Sequence, residues 1–290
     1  MSNRWPGGLI RKTPVTPTGP FQNGAASGVW SLADASYWLK QGLWPIAGNI
    51  PTGTFAIFAL GFTTVRVTTR DKYTYSGCVV SAGTAATAAS NFGSAAGNST
   101  VGIFALGLVA CVGVTTRNKY TYSGDVVSTG GVATCGSRQG SAAGSSTVGI
   151  FALGFTFASV TTRDKYTYSS CVVSAGGAAT AASRLGSAAG NSTVGIFALG
   201  LTPCRSTTRN KYTYSGCVVS AGGAATAASA QGSAAGNSTV GIFALGNTGV
   251  RVTTRDKYTY SGCVVTAGGA ATTASGCGSA ASNGTTGVNI

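Results

Sequence analysis

The feature that most constrains this chain is a unit of 46–47 residues that occurs five times between about Gly53 and Gly268. One copy reads TTRDKYTYSGCVVSAGTAATAASNFGSAAGNSTVGIFALG, and a later copy reads TTRDKYTYSSCVVSAGGAATAASRLGSAAGNSTVGIFALG. The central tyrosines repeat with the same spacing: Tyr73, Tyr120, Tyr166, Tyr212 and Tyr258. A fixed period of this length predicts a repeat architecture, and it lets the copies be aligned with one another.

Each unit contains four segments typical of short strands: GSAAGN, VGIFALG, TTRDKYTYS and CVVSAGG. Val, Ile, Phe, Tyr and Thr favour strands, and the Gly, Asn and Ser residues between the segments favour turns. The second segment is apolar on both faces and must therefore be covered on both sides. Four strands per unit, with one of them sandwiched, is typical of a β-propeller blade. We therefore predict an all-β propeller of five four-stranded blades, with six blades as the alternative and the SAAG strand innermost.

The two ends of the repeat region do not match. The C-terminal GSAASNGTTGVNI repeats the first strand and begins the second. TFAIFALG, from Thr54 to Gly61, supplies a full second strand, but LWPIAGN precedes it instead of SAAGN. The simplest expectation is that the C-terminal strand completes the blade that begins at Thr54. The alternative is a sixth, composite blade made from Leu43–Ile50 and Ser279–Ile290.

Residues 1–52 differ from the repeats, so we predict two parts: an N-terminal segment, 1–52, and a propeller, 53–290. Prolines keep the first 20 residues extended, and Ser31–Gln41 predicts a short helix. The first residues lack the apolar core of a signal peptide, and we expect no membrane insertion. We expect the segment either to anchor the chain to another protein or to cover the propeller's end, through its aromatic residues: Trp5, Trp30, Tyr37, Trp38 and Trp44.

The net charge of +14 comes from 19 Lys and Arg residues against five acidic residues. Such a balance favours an anionic partner: nucleic acid, an acidic glycan, lipopolysaccharide or an acidic protein surface. Many of the basic residues are one repeated pair, and we interpret them as evenly spaced, solvated strand positions: Arg70/Lys72, Arg117/Lys119, Arg163/Lys165, Arg209/Lys211 and Arg255/Lys257.

The chain offers few groups for catalysis. It has no His, which excludes an imidazole base and a Ser–His or Cys–His pair. Asp71 is replaced by Asn118 and Asn210 in two other copies, so the repeat keeps no pair of acids. An isolated site at Asp125 is the one remaining candidate. We therefore expect no enzyme activity, no metal and no cofactor.

The cysteines and the NST triplets have structural explanations. Four cysteines share one position of the repeat, and the remaining copy has Asp125 there. Equivalent positions in neighbouring units are too far apart for a disulfide, so we expect free thiols. The Asn residues of the triplets match glycosylation acceptors, but Asn and Ser also favour tight turns. We prefer the turn for all three: Asn98, Asn191 and Asn237.

Differences between the copies concentrate in two segments. One segment follows FALG, and the other is the residue pair before the next Gly-Ser-Ala. In a four-stranded meander both segments lie at the same end of the propeller. Relaxed constraint on loops could produce this pattern, but we prefer a binding face that differs from blade to blade. Its candidate residues are Phe62, Arg66, Phe92, Arg138, Phe157, Arg184, Leu185, Arg205, Gln231 and Arg251.

The unit, with its FALG end and its RDKYTYS–turn–VV hairpin, resembles the kelch-like propeller repeats of virion proteins in tailed bacteriophages. The segment GVWSLADASYWLKQGLWP is similar to the segment that precedes such repeats. The chain departs from kelch repeats in having one Gly after FAL, as at Gly61 and Gly107, instead of two. The resemblance implies a virion appendage, such as a tail fibre, that is anchored by residues 1–50 and displays the propeller. No catalytic residue carries over.

From these observations we expect a non-enzymatic virion protein that contacts other virion proteins through residues 1–52. The variable loop face would bind a host surface glycan or protein. A purely structural component, whose propeller contacts neighbouring subunits, is the alternative, and a basic nucleic-acid binder is a third possibility.

Overall fold

The computed structural model describes Tyr37 and residues 55–59, 61–75, 77–282 and 287–289. The chain divides into two compact units, Met1–Asn49 and Ile50–Ile290. The predicted boundary after residue 52 stays a prediction. Tyr37 is helical and its side chain is exposed. The rest of the predicted helix, the extended arm and the four tryptophans of the proposed anchor lie outside the described residues.

The second unit is all-β, and its small sheets form a ring with the arrangement of a five-bladed β-propeller, as the sequence predicts. Blade 1 has three strands: β1 (Phe55–Ala59), β2 (Arg70–Thr74) and β3 (Val79–Gly83). Blade 2 has four strands and a small hairpin, β6–β7: β4 (Ser94–Gly97), β5 (Val101–Ala105), β6 (Leu108–Val109), β7 (Val112–Gly113), β8 (Arg117–Thr121) and β9 (Val126–Thr129).

The later blades repeat the four-stranded pattern of blade 2. Blade 3 contains β10 (Ser141–Gly144), β11 (Val148–Ala152), β12 (Arg163–Thr167) and β13 (Val172–Ala175). Blade 4 contains β14 (Ser187–Gly190), β15 (Val194–Ala198), β16 (Arg209–Thr213) and β17 (Val218–Ala221). Blade 5 contains β18 (Ser233–Gly236), β19 (Val240–Ala244), β20 (Arg255–Thr259) and β21 (Val264–Ala267). A last hairpin is formed by β22 (Ala280–Ser282) and β23 (Gly287–Asn289).

Each blade is an antiparallel meander, and the SAAG strand is innermost in blades 2 to 5. In blade 3, Ile150 of β11 lies opposite Ala143 of β10 on one side and Lys165 of β12 on the other. The inner strands of successive blades lie beside one another, β4 next to β10, β10 next to β14 and β14 next to β18. Their Ser, Ala and Gly side chains permit this close approach.

A pair of glycines in each of blades 2 to 5 makes room for a tyrosine. Gly144 and Gly149 lie opposite one another across β10 and β11. A Cβ atom on Gly149 would lie 2.8 Å from the hydroxyl oxygen of Tyr168 and 3.2 Å from Cβ of Ala96 in blade 2. Glycine at both positions leaves space for the hydroxyl end of the buried Tyr168 side chain. This explains why Gly recurs in the SAAG and VGIFA strands of these blades.

The hydrophobic core lies between the blades. Val101 and Ile103 of blade 2 pack against Phe151, Tyr166 and Tyr168 of blade 3. Equivalent clusters fill the next two gaps in the ring. The expectation that the second strand is covered on both faces is confirmed in blade 2, since Ile103 and Phe104, which point to opposite faces, are both buried.

The arginine that begins the third strand is buried against the next blade. Arg163 lies 4.6 Å above the ring of Phe197 and donates to Oδ1 of Asn210 at 3.0 Å. Arg117 makes the same contact with Asp164 Oδ2 at 2.7 Å. The arginines of blades 1 to 4 each face a four-stranded blade that follows in the ring, and their exposed fraction is at most 1%. The interpretation of these positions as solvated is therefore wrong for Arg70, Arg117, Arg163 and Arg209.

The C-terminal strand does not join the first blade in the described residues. β22 pairs with β23, so that Ala280 faces Asn289, and β1 pairs with β2. In the described part of the chain, β22 therefore pairs with the chain's own β23 and not, as the sequence predicts, with the sheet that begins near Thr54. The alternative composite blade uses Leu43–Ile50, which lies outside the described residues.

The NST triplets form turns that also link blades. Oδ1 of Asn191 accepts hydrogen bonds from the backbone N–H groups of Thr193 and Val194, both at 2.9 Å. Its Nδ2 donates to the carbonyl of Ser238 in the next blade at 3.0 Å. The structural explanation of these triplets is confirmed. All eight cysteines are free, as expected.

Candidate functional site

The two variable segments of the sequence meet at one end of each blade. The residue pair before Gly-Ser-Ala bridges to the first residue of the loop after FALG in blades 2 to 5. In blade 3, for example, Arg138 N–H donates to the carbonyl of Phe155 at 3.0 Å, and the reverse bond is 2.9 Å. We call this end of the ring the variable face; it consists of residues 62–66, 91–92, 108–113, 138–139, 155–159, 184–185, 201–205, 230–231, 247–251 and 276–277.

A row of backbone hydrogen bonds runs across the variable face from blade to blade. Gln139 N–H donates to the carbonyl of Phe92 at 2.8 Å, and Leu185 N–H donates to that of Gln139 at 2.8 Å. Gln231 and Cys277 continue the row. These five residues all have a positive φ, between 55° and 63°, although none is glycine. The constant part of the fold therefore sets their backbone, and their side chains are free to differ.

Each loop after FALG is a tight turn with an exposed tip. In blade 3 the loop is closed by a bridge between Phe155 and Ser159, and Thr156 N–H donates to the carbonyl of Ala158 at 3.0 Å. At the tip, the side chain of Phe157 is 96% exposed. The loops thus present single side chains to solvent on a rigid base.

Arginines and one aromatic ring form the most organised cluster on this face. The guanidinium of Arg138 lies 4.7 Å from the ring centroid of Phe155, and that of Arg184 lies 5.2 Å from the same centroid. Two cations from neighbouring blades therefore share one ring, and each contact is worth roughly 0.5–1 kcal/mol at a partly exposed site. The cluster holds both guanidinium groups in fixed places.

The other predicted site residues also lie on the variable face, although they are not all in contact. Phe62 is exposed and bridges to Arg66, whose Nε donates to Asn91 Oδ1 at 3.1 Å. Arg205 and Arg251 are exposed at the ends of their loops. The remaining four belong to the backbone row or lie at a tip: Phe92, Phe157, Leu185 and Gln231.

The candidate site residues predicted from the sequence omit three residues of this face, although all three lie in the variable segments. Gln139 and Cys277 occupy the same position as Phe92, and the alignment of the copies places them in the variable pair. Phe155 was missed because its role depends on the bridge to Arg138, which brings together residues of different segments.

The charge on the variable face has one sign among the described residues. Its segments contain five arginines and no carboxylate. Asp164 and Asp256 are buried between blades, and Asp125 lies in the turn between the third and fourth strands of blade 2. The potential at this face is therefore positive, which attracts anions.

Asp125, the isolated acid, forms an inter-blade contact. Its carboxylate accepts from Lys72 Nζ of blade 1 at 3.1 Å and from the hydroxyl of Tyr120 at 3.0 Å. The hydrogen bond from Lys72 is the main cause that lowers the pKa of Asp125. A carboxylate that is paired in this way stays ionised, and we interpret it as a structural residue.

The cavities beneath the variable face are small. One lies between blades 2 and 3, beside Phe92 and Arg117, and holds about 10 Å³. Two others, between the following blades, have the same volume. A space of this size holds about one water molecule. Within the described residues there is no cluster of His, Cys, Asp or Glu that could hold a metal ion, and no helix with the length and apolarity to cross a membrane.

No protein-family model matches this chain, and no curated protein matches it. The fold and the variable face therefore carry the functional argument.

Proposed function

We propose that this chain is a non-enzymatic structural protein of a bacteriophage virion, whose propeller presents the variable face to an anionic glycan or protein on the host surface. The observation that carries the binding role is the cluster of Arg138, Phe155 and Arg184 beside the exposed Phe157. The virion setting comes from the resemblance of the repeat and of the N-terminal segment to phage virion proteins.

The cluster suits an anionic surface for two reasons. A guanidinium that lies over a ring keeps its N–H groups available for two parallel bonds to a carboxylate, sulfate or phosphate group. Aromatic and arginine side chains are also the residue types that dominate the energy of binding surfaces. Phe157 adds apolar area at the tip of the same loop system.

The shape of the face favours an extended partner. Small-molecule sites are concave and have volumes of several hundred Å³, whereas the cavities beside Phe92 and Arg117 and beside Arg163 hold about 10 Å³ each. The exposed residues instead lie along successive blades. A polymer or a protein surface can contact several blades at once, and each contact adds to the affinity.

The binding part is tested with the full chain and an immobilised anionic polysaccharide, dextran sulfate, against neutral dextran. The Arg138→Gln/Arg184→Gln variant should lose at least about tenfold in affinity, since it removes two charge-assisted contacts of about 1 kcal/mol or more each. The Lys165→Gln/Lys257→Gln variant is the matched control, because it removes the same net charge from strands outside the variable face.

An equal loss in both variants would mean that net charge alone causes retention and would refute the proposed face. A duplex DNA probe that binds more tightly than dextran sulfate, with a steep dependence on salt, would favour the nucleic-acid alternative. Full retention by the Arg138→Gln/Arg184→Gln variant would favour the purely structural alternative.

The virion location is tested separately. The full chain should co-purify with the phage particles, and a chain that lacks residues 1–52 should not. Particles that incorporate the shortened chain equally well would refute attachment through that segment.

A further inference from the structure

The four interfaces between successive blades are copies of one arrangement. In the RDKYT or RNKYT strand of each blade, the arginine and the Asp or Asn directly after it point to opposite sides of the blade. We call the side with the arginine the donor face and the side with the Asp or Asn the acceptor face. Between blades 4 and 5, Arg209 donates to Asp256 at 2.7 Å and lies 4.6 Å above the ring of Phe243. Gly223 N–H also donates to the hydroxyl of Tyr258 at 3.4 Å.

The ring ends with one unused face of each kind. Blade 5 has a donor face with Arg255, and blade 1 has an acceptor face with Asp71. Among the described residues neither side chain forms a hydrogen bond or an ion pair. Both side chains are half-exposed, whereas their counterparts inside the ring are at most 1% exposed.

The donor face of blade 5 also lacks the close backbone contact that a following blade makes at the internal interfaces. A Cβ atom on Gly223 of blade 4 would lie 2.1 Å from the carbonyl oxygen of Cys263 in the next blade, but Gly269, at the same position of blade 5, has no atom within 4 Å. Ile242 of blade 5 is half-exposed, whereas Ile196 of blade 4 is fully buried. The surface that a following blade covers elsewhere is therefore uncovered here.

The strands at the two ends are complementary as well. Among the described residues there are five inner strands, of which the last, β22, follows blade 5 and lies beside β18. The same part of the chain contains five sets of outer strands, and the first set, in blade 1, pairs with no described inner strand. Within the described residues, β22 is therefore an inner strand without a full blade, and blade 1 is a blade without an inner strand.

We propose that the donor face of blade 5 binds the acceptor face of blade 1 in a second copy of this chain, so that copies join head to tail. Arg255 then donates to Asp71 of the next copy, as Arg209 donates to Asp256 within one copy. Neither group has a partner among the described residues of one chain, and faces of the same two kinds fit each other at the four internal interfaces. A head-to-tail contact of this kind builds a larger ring or a filament, depending on whether the rotation closes.

The test is sedimentation velocity on the full chain over a wide range of concentration. The unmodified chain should form oligomers that grow with concentration. Arg255→Asp and Asp71→Arg should each weaken the association at least about tenfold, because each places two like charges at a buried contact. The double variant Asp71→Arg/Arg255→Asp should restore it, since the pair is then reversed.

Three further variants make the result specific. Asp71→Asn should still associate, because Asn serves as the acceptor in two internal interfaces. Gly269→Gln should block association without unfolding the chain, because nothing lies within 4 Å of that position. Arg205→Asp makes the same charge change on the variable face; it should leave association intact and weaken binding to dextran sulfate, which separates this proposal from the proposed function.

A chain that stays monomeric at every concentration would overturn the proposal. If, in that case, Arg255→Asp lowered the melting temperature, the two faces would instead close the ring within one chain. Oligomers that resist both Arg255→Asp and Gly269→Gln would also overturn it, since they would use another surface.

Discussion

Replacing Asn210 by Asp should stabilise the propeller, because it places a carboxylate beside a buried cation that now has a neutral acceptor. Arg163 is almost fully buried and donates to Oδ1 of Asn210 at 3.0 Å. Burial lowers the pKa of the Arg163 guanidinium to about 10. At about 1.4 kcal/mol per pKa unit, the charged form is disfavoured by roughly 3 kcal/mol relative to water.

Two other interfaces show how the variant would be accommodated. Asp256 accepts from Arg209 at 2.7 Å, and the hydroxyl of Thr226 donates to its second oxygen at 2.6 Å. Beside Asn210, the hydroxyl of Thr180 instead accepts from Nδ2 at 2.7 Å. Since a hydroxyl can donate or accept, the exchange needs no repacking. The new carboxylate also loses its hydration, so we expect a net gain of about 1–2 kcal/mol.

The free energy of unfolding is measured by urea denaturation at neutral pH, with Asp164→Asn as the reciprocal variant. Asn210→Asp should raise the midpoint and Asp164→Asn should lower it, both with an unchanged slope. Added salt should change the difference little, because buried pairs are poorly screened. If Asn210→Asp left stability unchanged or lowered it, the reasoning that a buried arginine with a neutral acceptor limits stability would be refuted.

Two further predictions concern the glycines and the tyrosines. Gly223→Ala should lower the free energy of unfolding by about 1–3 kcal/mol in thermal denaturation, because the added atom would lie 2.1 Å from the carbonyl oxygen of Cys263. Gly269→Ala should change the free energy of unfolding by less than about 0.5 kcal/mol, because no atom lies within 4 Å of the added Cβ. Equal effects of the two variants would contradict the close packing of blades 4 and 5 at Gly223. Burial raises the pKa of Tyr122 to about 12, so the unfolded chain ionises first and stability should fall by about 1.4 kcal/mol per pH unit for such a tyrosine between about pH 10 and 12. The tyrosinate absorbance of Tyr122, taken as the difference from a Tyr122→Phe variant, should appear together with loss of the circular dichroism signal. Ionisation of Tyr122 near pH 10 in the folded chain would contradict this.

Much of the fold could be predicted from the sequence because each blade is built from local signals. The alternation of VGIFA, RDKYT and VVSA with Gly, Asn and Ser turns predicts the order of the strands. The number of copies of the unit predicts the number of blades. The placement of variable segments at one end follows from the same meander. The bridge from Arg138 to Phe155 confirms that placement in blade 3.

The candidate site was predictable only in part. The positions that differ between copies identify the face, and all ten predicted residues lie on it. The sharing of one ring by Arg138 and Arg184 could not be predicted, because Phe155 meets Arg184 only through the packing of neighbouring blades. A pattern within one unit contains no information about which side chains from two units meet.

The sequence by itself determined the repeat, the four-stranded blade and the division into constant and variable positions, because these depend on periodicity and local propensity. Only the tertiary structure decided which charges face water. Arg163 and Lys165 stand two residues apart in the same strand, yet Arg163 is buried over the ring of Phe197, whereas Lys165 stays partly exposed. The physical reason is that burial of a charge depends on what the next blade offers to pair with it, and that contact joins residues 47 positions apart.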